Sequence, residues 1–183
     1  LKVFGCPAEE KMTGKNYMTQ AGAFKGLDVA LHNHPAPVNT VWNFHSPAMV
    51  DLVVEWKGLA AHAAAMPWMG RNAEHAAEVF LVAANMMREQ MEPTARLHYN
   101  IVQGGTAVNT IPDYAKVWIR FRDKNAENVT KYRNWLADMA KGAALATQTK
   151  ETVTVITGTL DAVGNDPLAE TVYGHLKRHF PLE

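Results

Sequence analysis

Apolar and polar positions alternate along residues 49–57. Val50, Leu52, Val54 and Trp56 fall on one face, and Asp51, Glu55 and Lys57, with Val53, on the other. A period of two is that of a half-buried strand. The period lengthens along 72–90, where Ala73, Ala76, Ala77, Phe80, Leu81, Ala84 and Met87 share one side of a helix. Residues 95–102 alternate again, which sets Leu97, Tyr99 and Ile101 inward against Arg96, His98 and Asn100. Gly104-Gly105 interrupts. Residues 113–122 then place Ala115, Val117, Ile119 and Phe121 inward and Lys116, Trp118, Arg120 and Arg122 outward. A second helix is expected over 125–147, with Val129, Tyr132, Leu136, Met139 and Ala143 on one side, and a last strand over 152–157. The order β-α-β-β-α-β predicts a four-stranded antiparallel sheet with two helices on one face, the ferredoxin-like α+β arrangement.

The flanks read differently. Residues 1–4 and 28–34 are short apolar runs of the kind that form buried strands, and 13–24 reads as a glycine-interrupted helix. On a strand, His32 and His34 share a face. Pro35 and Pro37 open a linker to about residue 47, residues 158–167 connect, and 168–179 is helical in pattern. The expected organisation is an α/β domain built from 1–46 and 159–183, with 47–158 inserted into it. The sequence opens on Leu1 inside a strand-like run and closes just after a helix-like one, which reads as an internal piece of a longer chain.

Lysine plus arginine and aspartate plus glutamate both number 18, so the formal net charge is zero. That argues against a nucleic-acid groove or a polybasic membrane patch. No apolar run approaches the ~20 residues of a membrane span. A single cysteine, Cys6, allows no intrachain disulfide and points to a reducing, cytoplasmic setting.

The candidate chemistry starts at Gly5-Cys6-Pro7-Ala8-Glu9-Glu10, two adjacent carboxylates at an expected strand exit. One can bind a metal while its neighbour takes a proton from a metal-bound water. The competing reading is a solvated helix start. His175 and His179 stand at metal-binding spacing on a helix, but the flanking Lys177 and Arg178 read as an exposed helix end. Trp68 serves a pocket floor or loop packing equally well. Met86, Met87 and Met91 read as core or contact residues. His45, His75 and His98 read as structural.

Five strings carry a resemblance. They are Gly5-Cys6-Pro7-Ala8-Glu9-Glu10, Leu31-His32-Asn33-His34-Pro35, Gly58-Leu59-Ala60-Ala61-His62-Ala63-Ala64, Pro67-Trp68-Met69-Gly70-Arg71-Asn72-Ala73 and the run from Gly104-Gly105 through Asn109 to Pro112-Asp113. In order and spacing they resemble the M20 metallopeptidases, in particular their amidohydrolase branch and its aminobenzoyl-glutamate hydrolase group. The resemblance implies that the inserted unit is a lid and dimerisation domain. It implies Glu9 as general base, Glu10 and His34 as metal ligands, and His62 as the donor that reaches into a partner's active site. It implies Asn109 and Arg122 as holders of the substrate carboxylate. His32 and Arg120 are the neighbouring alternatives for His34 and Arg122.

The implied activity is metal-dependent cleavage of an N-acyl or N-aroyl amino acid amide such as p-aminobenzoyl-glutamate. Two divalent ions, zinc or manganese, and a homodimer go with it. Cys6 stands where the family usually has threonine, and neither carries the chemistry. The family's first ligands lie in a motif upstream of the glutamate pair, and its last histidine ligand lies downstream of the lid. Two ligands are too few to fix even one zinc, so these 183 residues by themselves are expected to hydrolyse little. The alternatives are a non-catalytic dimerisation module and a carboxylate-binding protein without hydrolysis.

Overall fold

The computed structural model describes residues 1–9 and 14–180. Its elements are α1 (Gly14–Gln20), β1 (Ala48–Lys57), α2 (Ala73–Met86), β2 (Arg96–Gln103), β3 (Tyr114–Asp123), α3 (Ala126–Thr147), β4 (Lys150–Thr159) and α4 (Asp166–Leu176). They fall into two compact units, Ala48–Leu160 and Leu1–Pro47 with Asp161–Glu183.

In the larger unit the four strands form one sheet in the order β2-β3-β1-β4, every neighbouring pair antiparallel. The alternating positions of β1 and β3 behave as their period dictates. Val50, Leu52, Val54 and Trp56 are buried, as are Ala115, Val117, Ile119 and Phe121. Helices α2 and α3 pack on that face through Ala76, Phe80, Ala84, Tyr132, Leu136 and Ala140. The Trp56 ring lies 5.2 Å from Phe80, and its Nε1–H donates to the Ala140 carbonyl at 3.3 Å. The Tyr132 ring lies tilted 4.9 Å from Phe121, and its hydroxyl accepts the Glu92 N–H at 3.0 Å. Each such aromatic removes enough apolar surface from water to contribute about 2–3 kcal/mol.

Asparagine starts both helices. The Asn72 side chain accepts the N–H groups of Glu74 and His75, and Asn125 accepts that of Asn128. Helix α3 ends at Gln148 in the left-handed region, φ 55°, which lets its N–H reach the last carbonyls.

Three expectations change. Tyr99 and Ile101, set inward by alternation, are 39% and 52% exposed. β2 is an edge strand, and the helices cover only its Leu97 end. Asp51, on the outward face, is only 2% exposed, because the Arg120 side chain lies over it. Residues 1–4 and 28–34 form no strand. An extended segment becomes a strand only when another takes up its N–H and C=O groups, and the described residues of this unit offer none. Val3, Val29 and Leu31 are accordingly exposed.

The smaller unit holds α1 and α4. Asn165 caps α4 by accepting the Leu168 N–H at 3.1 Å, and Asn43 accepts the Asn165 N–H at 2.8 Å while its amide donates to Asp166. Among the described residues no helix is long and apolar enough to cross a membrane.

Candidate functional site

Two loops at one end of the larger unit are zipped together. One leads from β1 to α2, the other from β2 to β3. The Gly58 N–H donates to the Asp113 carbonyl at 2.8 Å, Ile111 to Ala61 at 2.9 Å, and Ala63 to Asn109 at 2.9 Å. This short ladder pairs His62 with Thr110. Residues far apart in sequence, His62 and Asn109, thereby become neighbours on one exposed rim.

The His62 ring is held by its own loop. Its Nδ1 accepts the backbone N–H of Ala65 at 3.1 Å and of Ala64 at 3.3 Å. An accepting ring nitrogen carries no proton, so the neutral imidazole keeps its proton on Nε2 and presents it as a donor.

Beside this rim lies a cleft of about 390 Å³, lined among others by Asn72, Glu74, Gly104, Gly105, Thr106 and Thr110. Gly105 turns with φ +113°, where an L side chain is strained, and a Cβ there would lie 2.9 Å from Pro112. At Gly104 a Cβ would lie 3.1 Å from Glu74 Oε1. The glycine pair gives the cleft its wall.

Arg122 is placed elsewhere. It stands near the far end of β3, eight residues beyond Tyr114, or roughly 26 Å at strand rise. Tyr114 pairs with Lys57, next to the His62 loop. One larger unit therefore does not bring Arg122 together with His62 and Asn109. The neighbouring candidate, Arg120, is committed to Asp51 through two parallel bonds of 2.6 and 2.7 Å. That contact raises the Arg120 pKa above the usual arginine value, so its charge is permanent. Arg122 makes no ion pair among the described residues and keeps its guanidinium open.

In the smaller unit, Glu9 is exposed in a turn that follows Ala8 in the left-handed region, φ 53°. Glu10 lies outside the described residues. His34 is exposed. Its Nδ1 contacts the Pro35 carbonyl at 2.8 Å, and a carbonyl only accepts, so Nδ1 donates and Nε2 keeps a free lone pair. That is the usual posture of a metal-ligating histidine. His32 is exposed nearby in sequence. Among the described residues no three or more His, Cys, Asp or Glu side chains are grouped to hold a metal ion. The described residues do not, by themselves, fit a metal centre.

Sequence reasoning missed two groups. Glu74 faces the cleft from the first turn of α2, where an acidic residue reads as helix stabilisation. Tyr114 donates its hydroxyl to Glu55. The hydrogen bond to that carboxylate, then burial, pushes the phenol pKa up to about 12. Neither carries a sequence signal, because Tyr114 depends on the Glu55 carboxylate, and Glu74 on the glycine turn, that the fold brings beside it.

Residues 48–148 match the M20 peptidase dimerisation domain. The chain is 39% identical over 145 residues to the Xaa-Arg dipeptidase of Mus musculus, covering 79% of this chain and 33% of that protein. It is 34% identical over 150 residues to one of the p-aminobenzoyl-glutamate hydrolase subunits of Escherichia coli strain K12, covering 81% and 31%. Among solved structures, the aminobenzoyl-glutamate utilization protein of Klebsiella pneumoniae shares the fold, with a TM-score of 0.64 at 19% identity over 75% of this chain and 35% of that one. The chain spans about a third of the length of the curated relatives it matches.

Proposed function

The chain belongs to the M20 peptidase family, and from that premise we propose that it contributes the lid and dimerisation part of an amide-cleaving hydrolase. The substrate class is an N-acyl or N-aroyl amino acid, or a dipeptide, with a free carboxylate beside the scissile amide. The relatives named for p-aminobenzoyl-glutamate and for Xaa-Arg dipeptides mark its two ends.

The observation that carries this reading is the His62 tautomer. Two backbone N–H groups occupy Nδ1 and leave Nε2–H on an exposed rim beside Asn109. A fixed donor of this kind stabilises the oxyanion that develops on a carbonyl under attack by water. Asn109 would hold a substrate group next to it, and the open Arg122 fork would grip a carboxylate.

The separation along β3 sets a further condition. His62 and Arg122 of one protomer are too far apart to hold one substrate. The reading therefore needs a homodimer in which each active site takes His62 and Asn109 from one protomer and Arg122 from the other. The flank formed by α2 and β2 supports such an assembly. Val79, Val82 and Met86 form an exposed apolar stripe on α2, beside the open edge of β2 with exposed Ile101 and Val102. An exposed edge strand with apolar neighbours is a ready pairing surface.

Two divalent ions, zinc or manganese, belong to the same reading, with Glu10 and His34 among their ligands and Glu9 as base in an α/β catalytic layer. A metal would polarise the carbonyl and activate water. Those ligands fall short of a metal centre, so further ones would come from the whole protein. The apolar flank alone also supports a second reading, a dimerisation module without chemistry. Turnover by the whole protein, and its loss in His62→Ala, separates the two.

A further inference from the structure

We infer that the cleft beside His62 is a subsite for a cationic side chain, an ammonium or guanidinium, and that Glu74 is its specificity-determining residue. The inference rests on the hydrolase reading for its use, since it narrows the substrate to an amino acid or peptide carrying a positive charge.

Among the described residues, Glu74 is the one charged side chain that lines the cleft. It is half-buried, and its carboxylate has no hydrogen-bond or ion-pair partner among those residues. Its backbone N–H, by contrast, is taken up by the Asn72 cap at 2.8 Å. An unpaired carboxylate lining a cleft offers two acceptor oxygens, and a guanidinium or ammonium entering the cleft would pair with them by charge-assisted hydrogen bonds. The wall around it is made for close approach. A Cβ on Gly104 would lie 3.1 Å from Glu74 Oε1, closer than an ordinary contact, while one on Gly105 would stand at an ordinary 3.8 Å from Oε2 but 2.9 Å from Pro112. The remaining lining is neutral and mixed, with Asn72, Thr106 and Thr110 as hydrogen-bonding groups beside Ile111 and Pro112. At about 390 Å³ the space is large enough to take one long side chain. The same carboxylate would repel an anionic side chain, so this cleft selects against a glutamate-like group.

Free arginine and its uncharged isostere citrulline are the probes. They are titrated into the isotope-labelled 183-residue chain, and the Gly104 and Gly105 amide signals are followed. Saturable shifts with arginine, at least tenfold tighter than with citrulline and lost in Glu74→Gln, are the expected result. Equal binding of the two probes, an arginine preference that survives Glu74→Gln, or no shift at these glycines with either probe would overturn the inference. Because no turnover is read, failure of the hydrolase reading appears in a different experiment.

Discussion

Arg120 grips Asp51 across the β1–β3 ladder through two parallel hydrogen bonds of 2.6 and 2.7 Å, and Asp51 is only 2% exposed. A carboxylate this far from water depends on its partner. Replacing Arg120 with Met leaves Asp51 buried and uncompensated, and should cost roughly 3 kcal/mol in urea unfolding. The double replacement Asp51→Leu with Arg120→Met should cost clearly less than the single one. A single variant within about 0.5 kcal/mol of wild type, the scatter of a neutral surface change, would show that the pair does not support the sheet.

Tyr114 and Glu55 give a pH signature. The phenol pKa is raised to about 12 by its bond to the carboxylate. A raised pKa contributes stability that is full below the ordinary tyrosine value of about 10 and is lost as pH climbs through the folded value. Ultraviolet titration should show one tyrosine ionising last, near pH 12, and Glu55→Gln should bring it back towards its ordinary range. Ionisation of all tyrosines together near the ordinary value would contradict the contact.

The α2–β2 flank predicts the oligomer. Met86 is 68% and Ile101 52% exposed, on adjacent elements that Asn85 ties together through its 3.2 Å bond to the Tyr99 hydroxyl. The wild type should sediment as a dimer, and the double variant Met86→Arg with Ile101→Arg as a folded monomer. A variant that stays dimeric would move the interface elsewhere.

Much of the fold is legible in the sequence because β1 and β3 are central strands with one face under helices, where burial enforces alternation. Alternation does not say which strand lies at an edge, so it sets Tyr99 and Ile101 in the core. Nor does it show cross-strand partners, so it leaves Asp51 solvated although Arg120 sits opposite it. The apolar runs at 1–4 and 28–34 have strand composition, yet composition supplies no neighbour to pair with. At the candidate site, the motifs single out His62 and Asn109, while their proximity comes from a loop ladder without a periodic signal. Glu74 stands in a helix first turn where a glutamate is ordinary, and only the glycine wall beside it gives it meaning.

The distance along β3 predicts complementation. If each site draws His62 from one protomer and Arg122 from the other, whole-protein variants His62→Ala and Arg122→Ala should each be nearly inactive. An equimolar remixed sample should recover about a quarter of wild-type activity, because half the dimers then hold one intact site. If both residues serve a site from the same protomer, remixing recovers nothing.

The central claim is that His62 donates from Nε2 to a substrate carbonyl under hydrolysis. Its most direct test is the steady-state kinetics of the whole protein on p-aminobenzoyl-glutamate and on a dipeptide ending in arginine, wild type against His62→Ala. The account predicts turnover of at least one of them and, with it, a kcat reduced about 100-fold or more at a KM changed far less. Cleavage of neither substrate, or equal kcat in wild type and variant, would contradict it.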